Sequence, residues 1–132
     1  MADETKKAKR RGVILDGYTI EHTISSPEGF FDDTTVRFRP VDKMKGIEIS
    51  RQITKASAKD VMEGEKIANQ VIVDHLKEWD QTMPDPEDEE KEILVPIKLE
   101  YVSKLEPHLG ADIFNLIMGY TPATDREASL KN

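Results

Sequence analysis

The sequence predicts an α+β fold in which an N-terminal β-hairpin is followed by a small helical domain of three to four helices. Two short runs of alternating apolar and polar residues, separated by a turn sequence, indicate the hairpin. Apolar residues then recur at helical spacing in several later segments. A length of 132 residues suits one domain with one core, which we place at residues 13–122.

The composition is typical of a globular chain with a strongly charged surface. Hydrophobic residues make up 37% of the sequence and charged residues 34%, with a formal net charge of -7. Cysteine is absent, which excludes disulfides, thiolate metal ligands and a cysteine nucleophile. No apolar run is long enough for a membrane span, and the first residues lack the apolar core of a signal peptide. We therefore expect neither a membrane protein nor one secreted by that route.

The predicted hairpin comprises residues 18–24 and 34–39, which flank a turn sequence at residues 25–29. In both runs alternate residues share one face, as in a strand with one buried side. Two strands alone are marginally stable in water, so helices or another subunit must cover the apolar face. That face consists of Ile20, Ile24, Val36 and Phe38.

Pro40 predicts the change from strand to helix, because proline cannot continue a central strand but fits the first turn of a helix. Residues 41–53 can form that helix, although Gly46 lowers the helix propensity by about 1 kcal/mol. Ser57 with Asp60 resembles a capping box and predicts the start of a stronger helix. Its apolar stripe consists of Val61, Ala68, Ile72, Leu76 and Trp79.

Further helical segments are predicted near the C-terminus. Residues 99–105 keep helical spacing until Pro107, which predicts the first turn of a new helix. We expect that helix to end after Met118, where Gly119 and Pro122 follow as stop signals.

Three charged or polar segments are predicted to lack regular structure. Residues 84–92 contain six Asp/Glu, one Lys and two prolines, so residues 82–92 are expected to form an exposed acidic linker. Residues 1–12 contain five Lys/Arg and predict a disordered basic tail, either solubilising or in contact with phosphate or an acidic partner. Residues 123–132 are expected to form a flexible tail.

The sequence contains no pattern that specifies a chemical reaction. The three histidines lie in different predicted elements and form no ligand pair, and no nucleophile elbow is present. The glycines form no phosphate-binding loop, and the acidic run lacks the spacing of a calcium loop. We therefore expect a non-enzymatic protein with no catalytic residues, no cofactor and no metal.

The final predicted helix has a wider apolar face than one core requires. Its apolar arc covers about 200°, whereas packing on one core needs about 100°. The helix is either buried on most sides or presents an exposed patch to a protein partner. The residues predicted to bind or support a partner are Trp79, Phe114, Ile117, Met118 and Tyr120, and core packing is the alternative for each.

Several features follow one another in a defined order along residues 13–120. They are a strand at Gly17-Tyr18-Thr19, a strand end at Arg37-Phe38-Arg39-Pro40, a helix closing with Trp79-Asp80, then Pro96-Ile97, Leu99, Leu105 and residues 109–117. This order is similar to that of the small tail-assembly proteins of tailed phages and prophages.

The resemblance implies a chaperone in the cytoplasm of the bacterial host. Such a protein coats the apolar helices of the tape-measure protein and recruits tail-tube subunits. The residues themselves argue against other partners, because the basic tail has no interleaved aromatic residue, the remaining chain is acidic and no apolar run is long enough for a membrane. The long acidic segment at residues 82–92 departs from the shorter connection expected in this family.

Two other classes of function stay open. A structural virion or prophage protein would remain in the particle and pair its hairpin edge with neighbouring subunits. A small acidic regulatory binding protein would use carboxylates on an ordered face. The sequence leaves open whether the protein forms a homo-oligomer.

Overall fold

The computed structural model describes residues 12–120, which contain five strands and four helices. The predicted basic tail, apart from Gly12, and the predicted flexible tail lie outside the described residues. The strands are β1 (Ile20–Ile24), β2 (Thr34–Phe38), β3 (Leu76–Trp79), β4 (Thr82–Asp85) and β5 (Asp88–Leu94). The helices are α1 (Lys43–Lys59), α2 (Val61–His75), α3 (Leu99–Val102) and α4 (Pro107–Met118).

The chain has mixed α and β structure, as the sequence predicts, but the order of elements differs from the prediction. The predicted N-terminal hairpin is present, because β1 and β2 pair antiparallel with Ile20 opposite Phe38. However, strands also follow the helices, and β3 joins the free side of β2 to give the sheet order β1-β2-β3. The hairpin is therefore not followed by helices alone.

Helices α1 and α2 form an antiparallel pair that is joined by a single residue, Asp60. This residue has extended backbone angles (φ −162°, ψ 122°), which end α1, and its carboxylate accepts a hydrogen bond from the Met62 N–H at 2.9 Å, which caps α2. Ser57 therefore does not cap α2 as predicted, since it lies inside α1. Asp42 caps α1 by accepting from the Lys45 N–H at 2.8 Å.

The two helices approach closely at Gly64. A Cβ atom at this position would lie 1.9 Å from the Ser57 Oγ and 3.3 Å from the Ile53 carbonyl oxygen. Only glycine fits this contact without a shift of the neighbouring side chain or helix. Glycine at this position lowers the helix propensity of α2, but its lack of a side chain allows α1 and α2 to pack closely.

Strand β3 replaces the last turn of the helix that the sequence predicts. Helix α2 ends at His75, so Leu76 and Trp79 lie in β3, and both are buried. Strict alternation would bury only one of two strand residues three positions apart. The pairing of β3 with β2 shifts its register between Arg37 and Phe38, and such an irregularity can turn both side chains to one side.

The segment predicted to be an acidic linker forms a second hairpin, β4–β5. Thr82 lies opposite Leu94, and Pro84 opposite Glu92. Both strands are edge strands, where proline is tolerated because one side of each strand has no ladder hydrogen bonds to lose. In the turn, the Asp85 carboxylate accepts from the Glu87 N–H at 2.9 Å. The segment is therefore regular, and its residues are exposed or half-buried.

Helix α4 has the predicted boundaries. It begins at Pro107 with Glu106 as its cap, whose carboxylate accepts from the Leu109 N–H at 2.9 Å. It ends at Met118, and the capping residue Gly119 adopts the left-handed conformation (φ 85°) that favours glycine. The core combines side chains from the first sheet and all four helices, and its most buried large members are Phe38, Ile24, Ile113, Ile117 and Val36.

Candidate protein-binding surface

The five residues predicted to bind or support a partner do not form one exposed patch. Trp79, Ile117 and Met118 are core residues, with 7%, 0% and 8% of their surface exposed. Phe114 is partly buried against the core, and Tyr120 is 49% exposed. Only Phe114 and Tyr120 therefore offer surface to a partner, while the other three support the fold from within.

Tyr120 is held at the junction of α4 and α1. Its N–H donates to the Asn115 carbonyl oxygen at 2.7 Å, and its hydroxyl lies 3.0 Å from the Ser50 Oγ. The start of α1 is fixed to the same end of α4, because the Val41 N–H donates to the Ile117 carbonyl oxygen at 3.0 Å. Tyr120 thus connects two helices and leaves half of its surface exposed.

A longer surface lies along the helical pair, and the sequence did not predict it. Two adjoining cavities of about 610 and 380 Å³ share Gln52 and Ile67 as lining residues. The larger extends to Asp42 and His75 at one end of the helical pair, and the smaller to Lys59 and Glu63 at the other. Together they form one groove between α1 and α2, here called the α1–α2 groove.

The floor of the α1–α2 groove is apolar. Ile49 and Val71 are buried at its base, and Ile67 is partly buried midway along it. Met44 lies at one end with 71% of its surface exposed, although it lines the same groove. An exposed, flexible methionine beside an apolar floor is common in surfaces that bind other proteins.

The walls of the groove are polar and partly fixed by hydrogen bonds. On α1, the Gln52 Nε2 donates to the Glu48 Oε1 at 3.3 Å. On α2, the Gln70 Nε2 donates to the Asp74 Oδ1 at 2.8 Å. The groove therefore has an apolar centre and a polar rim, which is the usual anatomy of a protein interface.

His75 closes one end of the groove and is held in one orientation. Its Nδ1 donates to the Val71 carbonyl oxygen at 2.8 Å. Burial lowers the pKa of His75, and the nearby cations Lys45 and Arg39 add to this effect, although the bond to Val71 and the charge of Asp74 act in the opposite direction. The side chain is thus favoured in its neutral form.

The sequence of α1 indicates two apolar sides, although it does not specify the groove. At about 100° per residue, Met44 and Ile47 project to nearly the opposite side from Ile49 and Ile53. One pair can face the core while the other faces away. The direction of the groove, however, depends on how α1 and α2 pack, which local spacing does not specify.

Comparisons with known proteins give no match for this chain. No protein-family model matches the sequence, and no curated protein or solved structure matches it either. Within residues 12–120, no helix is long and apolar enough to cross a membrane. In the same part of the chain, no three His, Asp or Glu side chains are grouped to hold a metal ion.

Proposed function

We propose that the protein is a non-enzymatic assembly protein of the phage-tail chaperone type, which binds apolar helices of a tape-measure protein and recruits tail-tube subunits. The observation that supports this proposal is the α1–α2 groove. Its apolar floor and polar walls are suited to an amphipathic helix laid along it.

The dimensions of the groove agree with this occupant. Helix α1 has 17 residues, which at about 1.5 Å per residue give a wall of about 25 Å. A partner helix of about four to five turns has the same length and would contact the whole wall. An assembly factor must also release its partner, and a narrow groove buries less surface than a permanent interface does.

The β4–β5 hairpin supports the proposal in a different way. Glu89, Glu90 and Glu92 of β5 are exposed and of like charge, so they repel a second copy of the same hairpin. We propose that this charge limits nonspecific association while the groove is empty.

Co-expression tests the proposed function. The protein is expressed with the adjacent gene product that has the longest apolar helical sequence, and the soluble fraction of that product is measured with and without it. We expect the soluble fraction to rise and the two proteins to co-purify. An unchanged soluble fraction together with no co-purification would contradict the proposal.

The structural virion alternative is favoured by one observation of its own. Among the described residues strand β1 pairs only with β2, and its other edge is where a strand of a neighbouring subunit would add. A fixed number of copies in finished, purified particles would favour this alternative. Absence from the finished particles would favour the chaperone.

A further inference from the structure

The two walls of the α1–α2 groove carry opposite charge. The α1 wall, with its capping residue, presents the cations Lys45, Lys55 and Lys59 and the anions Asp42 and Glu48, and both anions lie in the half of the groove near His75. The α2 wall presents the anions Glu63 and Asp74 and no cation. The contrast is strongest where Lys55 and Lys59 lie across the floor from Glu63, so a ligand in that half has a basic wall on one side and an acidic wall on the other.

Local contacts leave this charge difference in place. Glu48 is bonded to Gln52 of its own wall, which occupies one of the carboxylate oxygens. Glu63 forms an ion pair with Lys66 at 2.9 Å, but Lys66 does not line the groove. Both members of that pair are largely exposed, so the pair contributes little free energy. A cation of a bound ligand can therefore replace Lys66 as the partner of Glu63.

We infer that the α1–α2 groove binds an amphipathic helix of a partner protein in one fixed direction. The bound helix has an apolar stripe on the floor, acidic residues on the flank that faces α1, and basic residues on the flank that faces α2. This inference rests on the proposed function and specifies the partner's chemistry and its orientation.

The fixed direction follows from the geometry of helices. When a helix is turned end for end with its apolar stripe still on the floor, its two flanks change places. Its acidic flank would then face Glu63 and Asp74, and its basic flank would face the lysines of α1. Juxtaposed like charges disfavour that arrangement. The wall charges therefore select one of two orientations.

A second copy of this chain is a poorer occupant. Its most apolar helix, α4, carries only Asp112 and His108 as titratable groups, and its buried residues belong to the core of its own molecule. It therefore lacks the two charged flanks that would match the walls.

The orientation is tested with two synthetic peptides of about 18 residues, long enough to span the wall. Both have leucines at helical spacing. The first carries Glu on one flank and Lys on the other, and in the second the two flanks are exchanged. Each carries a nitroxide at its N-terminus and is added to the full-length, isotope-labelled protein. Paramagnetic broadening then identifies the nearer end of the groove.

We expect the two peptides to broaden opposite ends, one near His75 and the other near Glu63. A variant in which Lys55→Glu and Lys59→Glu are combined with Glu63→Lys and Asp74→Lys should reverse both results. A peptide with Glu on both flanks should bind roughly tenfold more weakly at low salt, with a smaller difference at high salt. Circular dichroism confirms that the variant stays folded.

Three outcomes would overturn the inference. The first is broadening at the same end by both peptides. The second is a concentration-dependent dimer that Met44→Glu abolishes, which would make a second copy the occupant. The third is no binding by either peptide. If the third occurs while co-expression still keeps the tape-measure protein soluble, the inference fails but the proposed function stands.

Discussion

The molecule presents two antiparallel hairpins, one of helices and one of strands, and their surfaces differ in kind. The α1–α2 pair encloses an apolar floor between charged walls, and its inner side chains, such as Ile49 and Ile72, belong to the core. The β4–β5 hairpin carries a run of carboxylates, and Leu94 at its base is 61% exposed. The helical pair combines an apolar groove with several cations and several anions, whereas the strand hairpin has a single cation, Lys91, among its carboxylates.

The attachment of the two hairpins to the body also differs. Helix α2 packs against α3 and α4, whereas β4–β5 is joined at its base. There the Trp79 Nε1 donates to the Val95 carbonyl oxygen at 2.7 Å, and the Val95 N–H donates to the Gln81 carbonyl oxygen at 2.9 Å. The comparison indicates that the helical pair shares the stability of the core, while the strand hairpin depends on a few contacts around Trp79.

The largest expected effect is that of Trp79→Ala, which tests this attachment. Loss of the buried ring and of its bond to Val95 should lower the free energy of unfolding by about 3–5 kcal/mol. Trp79→Phe keeps a ring but loses the hydrogen bond, and should cost less. Urea unfolding measures both values. Leu94→Ala is the control, because Leu94 is exposed and should change stability by no more than about 0.5 kcal/mol.

If Trp79→Ala leaves stability unchanged and instead weakens partner binding, Trp79 is part of the binding surface. In that case the proposed anchor at the base of β4–β5 is wrong.

Gly64→Ala should have the next largest effect, because it separates the helices of the α1–α2 pair. The added methyl group would overlap the Ser57 Oγ, and overpacking of this kind costs about 1–3 kcal/mol. The higher helix propensity of alanine offsets about 1 kcal/mol of that cost. Thermal unfolding measures the net effect.

Adding Ser57→Ala to Gly64→Ala removes the overlapping Oγ and should restore part of the lost stability. Equal stability of the single and double variants would show that the contact at Ser57 does not limit the approach of the helices.

Met44→Glu should weaken binding without unfolding the protein. It places a carboxylate beside the apolar floor of the groove and should reduce the affinity for an amphipathic helix by roughly tenfold, or about 1.4 kcal/mol. Isothermal titration calorimetry with the first synthetic peptide measures the affinity. Because Met44 is exposed, the melting temperature should stay nearly constant.

The matched control lies on the other hairpin. Leu94→Glu introduces the same charge at a similarly exposed apolar residue and should leave peptide affinity unchanged. If only Leu94→Glu weakens binding, the binding surface lies on β4–β5 and not on the α1–α2 groove. That result would favour the acidic regulatory alternative.

The smallest expected effect concerns pH and His75. Burial lowers the pKa of His75 in the folded protein relative to its ordinary value of 6.5, so the folded state binds fewer protons than the unfolded chain. The stability contributed by neutral His75 is therefore fully present above about pH 6.5 and is lost as the pH falls from that value through the lower pKa of the folded state. Urea unfolding over this range measures the slope.

His75→Gln should remove this part of the pH dependence, while His22 and His108 remain in both proteins as an internal control. An identical pH profile for the two proteins would show that His75 contributes none of it.

The sequence predicts best those elements whose signals are local. Alternation across a turn located β1 and β2, and Pro107 with Gly119 marked both ends of α4. Strand β3 was missed because Leu76 and Trp79 are three residues apart, as on a helix. Their strand conformation depends on pairing with β2, which lies about forty residues earlier in the chain.

The candidate site was harder to predict for a related reason. Apolar side chains at Ile117 and Met118 predict burial or binding equally well, and only their packing against other elements decides between the two. In β4–β5, prolines and carboxylates disfavour strands locally, yet an isolated hairpin tolerates both at its edges. The α1–α2 groove is formed by the packing of two helices, so no local sequence pattern identifies its lining residues as one site.

The single-residue junction at Asp60 has a consequence for how this groove could change during evolution. Helices are stiff over the length of α2, so a rotation of about 5° at the junction moves their far ends relative to each other by about 2 Å. That distance is close to the van der Waals radius of a methyl group. Substitutions at Asp60 alone could therefore change which side chains the α1–α2 groove accommodates, without any change in its lining residues.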